Sequence, residues 1–398
     1  MSKVNIDDIE LTGRKVLTRV DFNVPLKEGV VGDDTRIKAA LPTIMKIISS
    51  GGRAILMSHL GRPKGQIKPE FSLKPVAEKL SGHLDIDVQF ANDCIGDQAQ
   101  NAARSLQNGQ VLLLENLRFH KEETDNEAGF ARELASLGDV FVNDAFGTAH
   151  RAHASTEGIT KFISPAVAGY LMRKEIKYLG QALANPERPF VAIIGGAKIS
   201  GKIDVIHNLL KKVDSLLIGG GMIFTFYKAQ GLPIGKSLLE QDKINEAEGL
   251  LKLELPAYVQ MVLPEDILVA DNLEVPFKTR TVSNEEIPDD WLGVDIGSKT
   301  RRKFIEIIKR AKTIVWNGPM GIFETDEFAG GTLALAKAIA EATAKGAVSI
   351  VGGGDSVAAL VKMGLKDKVT HASTGGGASL EFLEGKTLPG LAALTERD

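Results

Sequence analysis

The amino-acid sequence predicts an α/β fold of two lobes, each built on a parallel sheet with helices on both faces. Short apolar runs alternate with longer amphipathic runs along the whole chain, which is typical of parallel sheets covered by helices. The 398 residues are enough for two or three domains of ordinary size. A polar, proline-broken segment at Asn185–Pro189 lies just before a new apolar run and predicts a boundary between two halves.

In the first half, four apolar runs end in polar residues and predict strands, and three segments between them show the apolar period of helices. The predicted strands are Lys15–Val24, Arg53–Leu60, Gln110–Phe119 and Val140–Phe146, and the predicted helices are Arg36–Ser49, Ser72–Leu84 and Glu127–Leu137.

The second half repeats this alternation, and the segment between the halves, Ala166–Leu183, has helical periodicity and predicts a connecting helix. The predicted strands are Phe190–Ile194, Ser215–Ile218, Gln260–Leu263, Thr313–Trp316 and Val348–Val351. The predicted helices are Lys202–Val213, Lys243–Leu255, Gly331–Ala344 and Ser356–Met363.

Composition excludes several classes of function. Lys plus Arg total 48 against 51 Asp plus Glu, so no overall positive charge attracts the chain to nucleic acid or membrane. Cys94 is the single cysteine, which rules out an intramolecular disulfide and a multi-cysteine metal site. The N-terminal residues lack the apolar core of a signal peptide, and no run reaches the length of a membrane span, so we expect a cytoplasmic protein.

Polar and cationic residues follow the apolar runs of the first half. In parallel sheets ligands bind at the carboxyl ends of the strands, so these residues are candidates for one shared binding edge. They are Asp21 and Asn23, Ser58–Arg62, Glu115–Arg118, Asn143–Asp144, and His150–His153. A buried anionic group needs such donors, because an unpaired buried charge costs several kcal/mol. The pattern predicts a site for a small phosphorylated acid.

The histidines do not predict a metal site. His150 and His153 are three residues apart, and His59 and His120 are candidates to join them. However, no cysteine assists them, no cluster of acidic ligands is adjacent, and Arg151 between the two repels a cation. Phosphate binding or structural hydrogen bonding suits these residues better.

Glycine runs dominate the strand ends of the second half. Three Gly-Gly-Gly runs begin at Gly219, Gly352 and Gly375, and Gly195–Lys198 forms a fourth glycine-rich turn. We expect each to lie between a strand and a helix, where free N–H groups would point at a phosphate. Asp355 is placed to hold Mg²⁺, and a helix starting at Lys198 would bring Lys202 onto the same face.

Familiar nucleotide motifs are absent. The Gly-x-Gly-x-x-Gly pattern fails at all three glycine triplets, whose sixth positions are Phe224, Val357 and Leu380. Gly231–Ser237 has one residue too few for a Walker A loop and is interpreted as a surface loop. The remaining interpretation is a nucleotide site of another type.

Taken together, these residues strongly resemble the phosphoglycerate kinases. Motifs that occur in the order of that family span nearly the whole chain. They are Arg19–Pro25, Ser58–Pro63, Leu114–Phe119, Val142–His153, Ile194–Lys198, Asn317–Glu324, Gly352–Ser356 and Ser373–Ser379.

The resemblance implies a kinase of two Rossmann-like lobes joined by a hinge helix, which exchanges a phosphoryl group between 1,3-bisphosphoglycerate and MgADP. It implies a phosphoglycerate-binding lobe at residues 1–170 with the tail from about 385 to 398, a connecting helix at 171–186, and a nucleotide-binding lobe at 187–384. It also implies a monomer, Mg²⁺ bound with the nucleotide, and closure of the lobes about the hinge.

The resemblance assigns the site residues as well. For the substrate these are Asp21, Asn23, Arg36, His59, Arg62, Arg118 and Arg151. For the nucleotide they are Gly196, Ala197, Lys202, Gly293, Asn317, Glu324, Gly353, Gly354, Asp355 and Ser356, with Asp355 near the metal. The residues expected to stabilise the phosphoryl group in transfer are Arg36, Lys198, Gly375 and Gly376.

Two other functions remain open at this stage. A phosphotransferase acting on another acid or on a sugar phosphate would keep the nucleotide lobe but change the cationic edge. A catalytically silent nucleotide-binding regulator would lose Arg36, Lys198 or Asp355, and all three are present.

Overall fold

In a computed structural model that describes residues 3–397, the chain forms two compact units. One begins at the N-terminus, runs to Lys177 and takes in the chain from Thr387 onward, and the other is Tyr178–Lys386. Across the described range, every helix is too short or too polar to span a bilayer.

A parallel sheet forms the centre of the first unit. Consecutive residues of its strands are buried, such as Val16 and Leu17, which requires cover on both faces. The six strands are β1 (Lys15–Arg19), β4 (Arg53–Met57), β5 (Val88–Ala91), β6 (Val111–Leu114), β7 (Val140–Asn143) and β8 (Ala166–Ala168), and a small hairpin adds β2 (Leu26–Lys27) and β3 (Val30–Val31). Within residues 3–397 the order in the sheet is β5-β6-β4-β1-β7-β8.

Helices of the first unit pack their apolar faces on this sheet, and Ile37, Ile44, Val76 and Leu80 share one core with Val16 and Leu56. The helices are α1 (Thr35–Ser49), α2 (Lys74–Leu84), α3 (Gly96–Ser105), α4 (Lys121–Thr124) and α5 (Ala128–Ala135), with α6 (Tyr170–Ala184) passing into the second unit and α14 (Pro389–Ala392) near the C-terminus.

The second unit has its own parallel sheet, and Phe304, Trp316 and Leu335 lie in its core. Its six strands are β9 (Phe190–Ile194), β10 (Ser215–Ile218), β11 (Gln260–Val262), β15 (Thr313–Asn317), β16 (Val348–Gly352) and β17 (His371–Ala372), in the order β11-β10-β9-β15-β16-β17 over the described residues. Its helices are α7 (Ile203–Leu210), α8 (Ile223–Ala229), α9 (Ile244–Leu251), α10 (Ser298–Arg310), α11 (Gly330–Ala344), α12 (Gly354–Lys362) and α13 (Gly377–Leu383).

The two-sheet α/β architecture is confirmed, but no pattern in the sequence indicated a smaller antiparallel sheet in the second unit. Its strands are β12 (Asp266–Ala270), β13 (Thr279–Ser283) and β14 (Leu292–Ile296). The second of these along the chain, β13, is largely exposed and polar, so it has no apolar run that would predict a strand.

Two predicted boundaries are wrong. The connecting segment starts as a strand, because Ala166–Ala168 pairs with β7, and the helix begins only at Tyr170 after Gly169. The helix after the Gly195 turn begins at Ile203, so Lys198 lies outside it and does not share a helical face with Lys202.

The predicted strands of the first half are also too long. Each ends where its polar residues turn away from the sheet, as at Asn116, whose side chain accepts a hydrogen bond from the Arg118 N–H and caps a short 3₁₀ turn.

Candidate functional site

The polar residues that follow the strands of the first unit lie at one edge of its sheet. β6, β4, β1 and β7 are neighbours and run parallel, so their carboxyl ends meet on the same side. This edge carries the loops that contain Asn116, His59, Asp21 and Asp144.

A cavity of about 500 Å³ opens at this edge. Three of the predicted arginines line it, and the lining as a whole is strongly cationic. The lining residues are Arg62, Lys64, Gly65, Arg118, His120, Lys121, Thr124, Arg151 and His153. The sequence did not single out Lys64, Lys121 or Thr124, because they lie in polar segments and have no distinctive pattern.

Arg118 is buried and only partly satisfied. Its Nη1 donates to the Gly61 carbonyl over 2.7 Å, while its Nε has no hydrogen-bond partner within residues 3–397. Burial, followed by the charges of Arg19 and Arg151, lowers its pKa to about 10, so the guanidinium stays charged at neutral pH. The cavity is thus lined by a charged guanidinium that suits an anionic ligand.

Arg36 lies near the start of α1 and is held by the end of β1. Its Nη1 donates to both carboxylate oxygens of Asp21 at 3.0 Å and to the Asn23 carbonyl at 3.2 Å. The Asn23 side chain in turn accepts from the Gly61 N–H at 2.9 Å. Asp21 and Asn23 therefore orient Arg36 and the loop that carries Arg62.

Two histidines at this edge, His59 and His153, are neutral at pH 7. Burial, together with Arg19, lowers the pKa of His59 well below its usual range, and burial with Arg118 lowers the pKa of His153 to about 4. Arg151 donates from Nε to the His150 Nε2 over 3.1 Å. His59 and His153 therefore add no positive charge to the site, whereas its arginines and lysines do.

One group of residues at this edge was missed. Arg19, Glu123 and Ser155 are buried beneath the cationic loops and form a hydrogen-bonded chain that reaches His59. A charged residue at the end of an apolar strand, as Arg19 is, was the signal that could have identified it.

His120 has partners that the sequence did not suggest. Its Nε2 lies 2.7 Å from Asp93 Oδ1, and one ligand atom each of Asp93, Cys94 and His120 lie within 4.8 Å of one another. The expectation that neither a cysteine nor a carboxylate accompanies the histidines is therefore wrong at His120, because a loop after β5 brings both to it. His150 and His153 are not members of this group of three.

In the second unit, most of the predicted nucleotide residues lie at or after the ends of the neighbouring strands β9, β15 and β16, whereas Gly293 lies in β14 of the antiparallel sheet. Lys202 reaches across to Asn317, with its Nζ donating to Asn317 Oδ1. Burial lowers the pKa of Lys202 to about 8, although Asp355 acts in the opposite direction. Lys202 is thus still mostly charged at neutral pH, and an anion bound beside it would raise its pKa again.

The turn before α12 has the geometry of a phosphate-binding loop. Gly353 has φ +89°, which an L side chain rarely adopts, and α12 begins at Gly354 with Asp355 exposed in its first turn. Ser356 is buried, and its hydroxyl accepts from the Gly318 N–H at 2.6 Å. The Ser356 hydroxyl therefore joins the start of α12 to the loop after β15.

Some glycines serve loop packing instead of phosphate binding. A Cβ at Gly195 would clash with the Pro319 carbonyl oxygen, and one at Gly220 would clash with the Gly196 nitrogen. The Gly220 N–H already donates to the Met320 carbonyl at 3.1 Å. The interpretation of Gly219–Gly221 as a phosphate loop is therefore wrong at Gly220, whose amide is used by the protein itself.

The amide of Gly375 is also engaged, since it donates to Ser373 Oγ at 3.0 Å. Gly376 has φ +50° and precedes α13, where the chain must turn from β17 into the helix. Ala197 and Lys198, in the turn after β9, are exposed to solvent.

Gly293 and Glu324 lie farther from these turns in sequence. The Gly293 N–H donates to Ser237 Oγ at 2.8 Å, and a Cβ at Gly293 would clash with the ring of Phe224. Glu324 is exposed, and its backbone carbonyl accepts from Lys362 Nζ at 3.2 Å.

Comparisons with known proteins agree on one family. The family model described as phosphoglycerate kinase matches residues 6–386. A protein named phosphoglycerate kinase from Chloroherpeton thalassium is 59% identical over 395 residues, covering 99% of this chain and all of the relative. One of the same name from Chlorobium phaeobacteroides is 60% identical over 397 residues, covering both chains fully.

Solved structures give the same result. The phosphoglycerate kinase of Coxiella burnetii matches with a TM-score of 0.89 and 43% identity, covering 98% of each chain. The one from Pyrococcus horikoshii matches with a TM-score of 0.85 and 34% identity, again over 98% of each chain.

Proposed function

Because this chain belongs to the phosphoglycerate kinase family, we propose that its two units divide one reaction, the first binding the phosphoglycerate and the second the nucleotide. The reaction is the reversible in-line transfer of a phosphoryl group from 1,3-bisphosphoglycerate to MgADP, giving 3-phosphoglycerate and MgATP. The enzyme is a phosphotransferase with a carboxyl group as acceptor in the reverse direction.

The observation that supports this division most strongly is the contrast between the two sheet edges. The first unit offers a cationic cavity of about 500 Å³, with Arg118 holding a buried N–H that lacks an acceptor within the described chain. The second offers Lys202 and the glycine turn before α12. Side-chain forks suit a compact phosphorylated acid, and backbone amides suit the phosphates of a nucleotide.

The chemistry requires positioning and neutralisation of charge more than acid–base catalysis. An acyl phosphate has a carboxylate leaving group, and a carboxylate acceptor is already ionised near pH 7, so neither direction needs a general base. Alignment of donor and acceptor contributes roughly 7–11 kcal/mol to such a transfer.

In the first unit, we assign the 3-phosphate to Arg62, Arg118, Arg151 and His59. The three arginines line the cavity, and the charges of Arg118 and Arg151 act on His59 and help to lower its pKa. Arg36, held by Asp21 and Asn23, is assigned to the phosphoryl group in transfer.

In the second unit, Lys202 and Gly353–Ser356 are assigned to the nucleotide phosphates, with Asn317 positioning Lys202. Gly196, Ala197, Gly293 and Glu324 complete this proposed site. Lys198, Gly375 and Gly376 are assigned to the phosphoryl group, although the Gly375 amide would first have to release Ser373.

The residues present fit a magnesium ion that arrives with the nucleotide. Mg²⁺ is held in many kinases by one or two carboxylates together with substrate phosphates, and Asp355 is an exposed carboxylate in the first turn of α12. The ion would neutralise phosphate charge there. We further propose a cytoplasmic monomer, and closure of the lobes stays a prediction from the family resemblance.

The direct test is a coupled assay with 3-phosphoglycerate, MgATP and glyceraldehyde-3-phosphate dehydrogenase, which reads the loss of NADH. We expect turnover that disappears without either substrate, and strong loss in Arg62→Gln, whose side chain is exposed and contributes little to packing. Folded protein without signal would refute the proposal. Activity with other acids or sugar phosphates in its place would support the broader phosphotransferase, and nucleotide binding without any transfer would support the silent regulator.

A further inference from the structure

Arg19, the last residue of β1, is a fully buried arginine with three hydrogen-bond partners. Its Nη1 donates to the Val20 carbonyl, and its Nε donates to Ser155 Oγ over 2.9 Å. Its Nη2 lies 3.1 Å from the Nδ1 of His59. The exposed fraction of both Arg19 and Ser155 is 0%.

A buried guanidinium needs a compensating charge, and Glu123 supplies it through Ser155. The Ser155 hydroxyl donates to Glu123 Oε1 at 2.6 Å, and the Ser155 N–H donates to Oε2 at 2.9 Å. Glu123 is itself fully buried. Arg19, Ser155 and Glu123 therefore form a charge-balanced chain that ends at the His59 ring.

The contact at His59 fixes the position of a proton. A guanidinium has five N–H donors and no acceptor, so the ring nitrogen facing it must accept. A protonated imidazolium or the Nδ1–H tautomer would place two donors against each other at 3.1 Å. The ring proton must then be on Nε2.

We propose that Arg19 is a positioning residue that holds His59 as the neutral Nε2–H tautomer, so that His59 gives the substrate an uncharged hydrogen-bond donor. This inference rests on the proposed function, because it concerns how His59 would bind the phosphoglycerate. It adds a role for Arg19 that does not require Arg19 to touch the substrate.

The charged surroundings of His59 agree with this role. Besides burial, Arg19, Arg118, Arg36 and Arg151 all lower the pKa of His59, in that order. Because the ring does not gain a proton in the physiological range, its hydrogen bond to an anion stays the same from about pH 6 to 8. The arginines therefore provide the positive charge, and His59 provides a hydrogen bond of fixed direction.

The test reads the proton directly. Protein labelled with ¹⁵N-histidine is examined by multiple-bond ¹H–¹⁵N NMR from about pH 6 to 8, and the His59 signals are identified by their loss in His59→Asn. We expect the Nε2–H tautomer throughout in the unmodified protein. A protonated His59 ring or an Nδ1–H tautomer in the unmodified protein at neutral pH would overturn the proposal, independently of the results with the variants.

A matched pair of double variants separates positioning from general stability. In both variants Arg19 is replaced and Glu123 is changed to Gln. The buried carboxylate is thus removed together with the buried guanidinium, and no unpaired charge is left in the core. Arg19→Met lacks any donor for His59, whereas Arg19→Gln keeps an uncharged N–H₂ group.

In the Met variant we expect mixed tautomers and a KM for 3-phosphoglycerate raised about tenfold, as for loss of one hydrogen bond to a charged group, with little change in kcat. The Gln variant is expected to restore the tautomer and most of the KM. An unchanged tautomer and KM in a folded Met variant would contradict the proposal.

The NMR result does not depend on catalysis. If the protein proves inactive as a phosphoglycerate kinase but His59 is the Nε2–H tautomer and loses it in the Met variant, the proposed function fails while the role of Arg19 in the ring stands. If the Met variant does not fold, the spectrum of the unmodified protein still decides.

Discussion

Asp144, which follows β7, is predicted to make the stability of the first unit depend on pH. Its Oδ1 accepts from the N–H groups of Leu171 at 2.8 Å and Met172 at 3.2 Å, in the first turn of α6. Its Oδ2 is buried, and the Thr43 hydroxyl acts on the carboxylate together with these two N–H groups. A helix N-terminus stabilises a carboxylate, but burial dominates and raises the pKa of Asp144 from 3.8 to about 6.

Stability should fall as the pH rises, because the folded state holds the Asp144 proton more tightly than the unfolded chain does. The folded state keeps the Asp144 proton up to about pH 6, whereas the unfolded chain loses it near pH 3.8. Asp144 therefore favours folding least above pH 6, where the ionised form costs about 3 kcal/mol relative to the protonated one. The cost falls as pH is lowered from 6 and vanishes below 3.8.

The perturbation is Asp144→Asn, which keeps the Oδ1 acceptor and removes the charge. The free energy of unfolding of the variant minus that of the unmodified protein should grow by about 2 kcal/mol as the pH rises from about 4.5 to 8. At any one pH the gain in the free energy of unfolding is smaller than the cost of the buried charge, because the new amide buries an N–H₂ group where Oδ2 was and replaces a carboxylate that the Thr43 hydroxyl stabilises.

The assay is urea unfolding followed by circular dichroism, since Trp291 and Trp316 both lie in the second unit and do not report on the first. The exposed Asp87, changed to Asn, is the matched control and should show no such trend. If the free energies of unfolding of the Asp144→Asn variant and the unmodified protein differ by an amount that stays constant within about 0.5 kcal/mol over this pH range, burial does not raise the pKa of Asp144.

Three further perturbations test the site. Arg36→Ala should lower turnover by about 10³–10⁵ with MgADP affinity nearly unchanged, and an equal loss of MgADP binding in titration calorimetry would contradict its role. Lys198→Ala should lower turnover without changing the midpoint of thermal unfolding, because the side chain is exposed, and a large shift of the midpoint would count against it. Lys202, with a pKa of about 8, should take up a proton when MgADP binds near that pH, so affinity should fall as pH rises above 8. Calorimetry in two buffers of different ionisation enthalpy measures this uptake, and its absence would argue against contact with phosphate.

The sequence predicted the two parallel sheets well because buried strands and amphipathic helices leave a clear periodic pattern. It failed where that pattern is missing. The exposed strand β13 reads as a polar loop, and Ala166–Ala168 reads as the start of a helix, since alanine has no strong preference for a strand.

The candidate site was predicted in part, and its supporting residues were not. Cationic residues at strand ends are visible in the sequence, which is how Arg62, Arg118 and Arg151 were chosen, and all three line the cavity. Contacts between residues far apart in the chain leave no such trace. Glu123 and Ser155, 32 positions apart, are joined only by the fold.

The glycine runs are visible in the sequence, but their role is not. The sequence suggests that glycine runs serve phosphate binding, but Gly220 packs against the backbone of Gly196 and donates to Met320. A run of glycines cannot distinguish close packing of two loops from close approach to a ligand, because both require the missing side chain.

The measurement that tests the division of labour most directly is a pair of calorimetric titrations, with 3-phosphoglycerate and with MgADP, on Arg62→Gln and Lys202→Met. We expect Arg62→Gln to lose affinity for 3-phosphoglycerate and to keep its affinity for MgADP, and we expect Lys202→Met to do the reverse. Loss of both affinities in either folded variant, or loss of the opposite one, would contradict the assignment of one ligand to each unit.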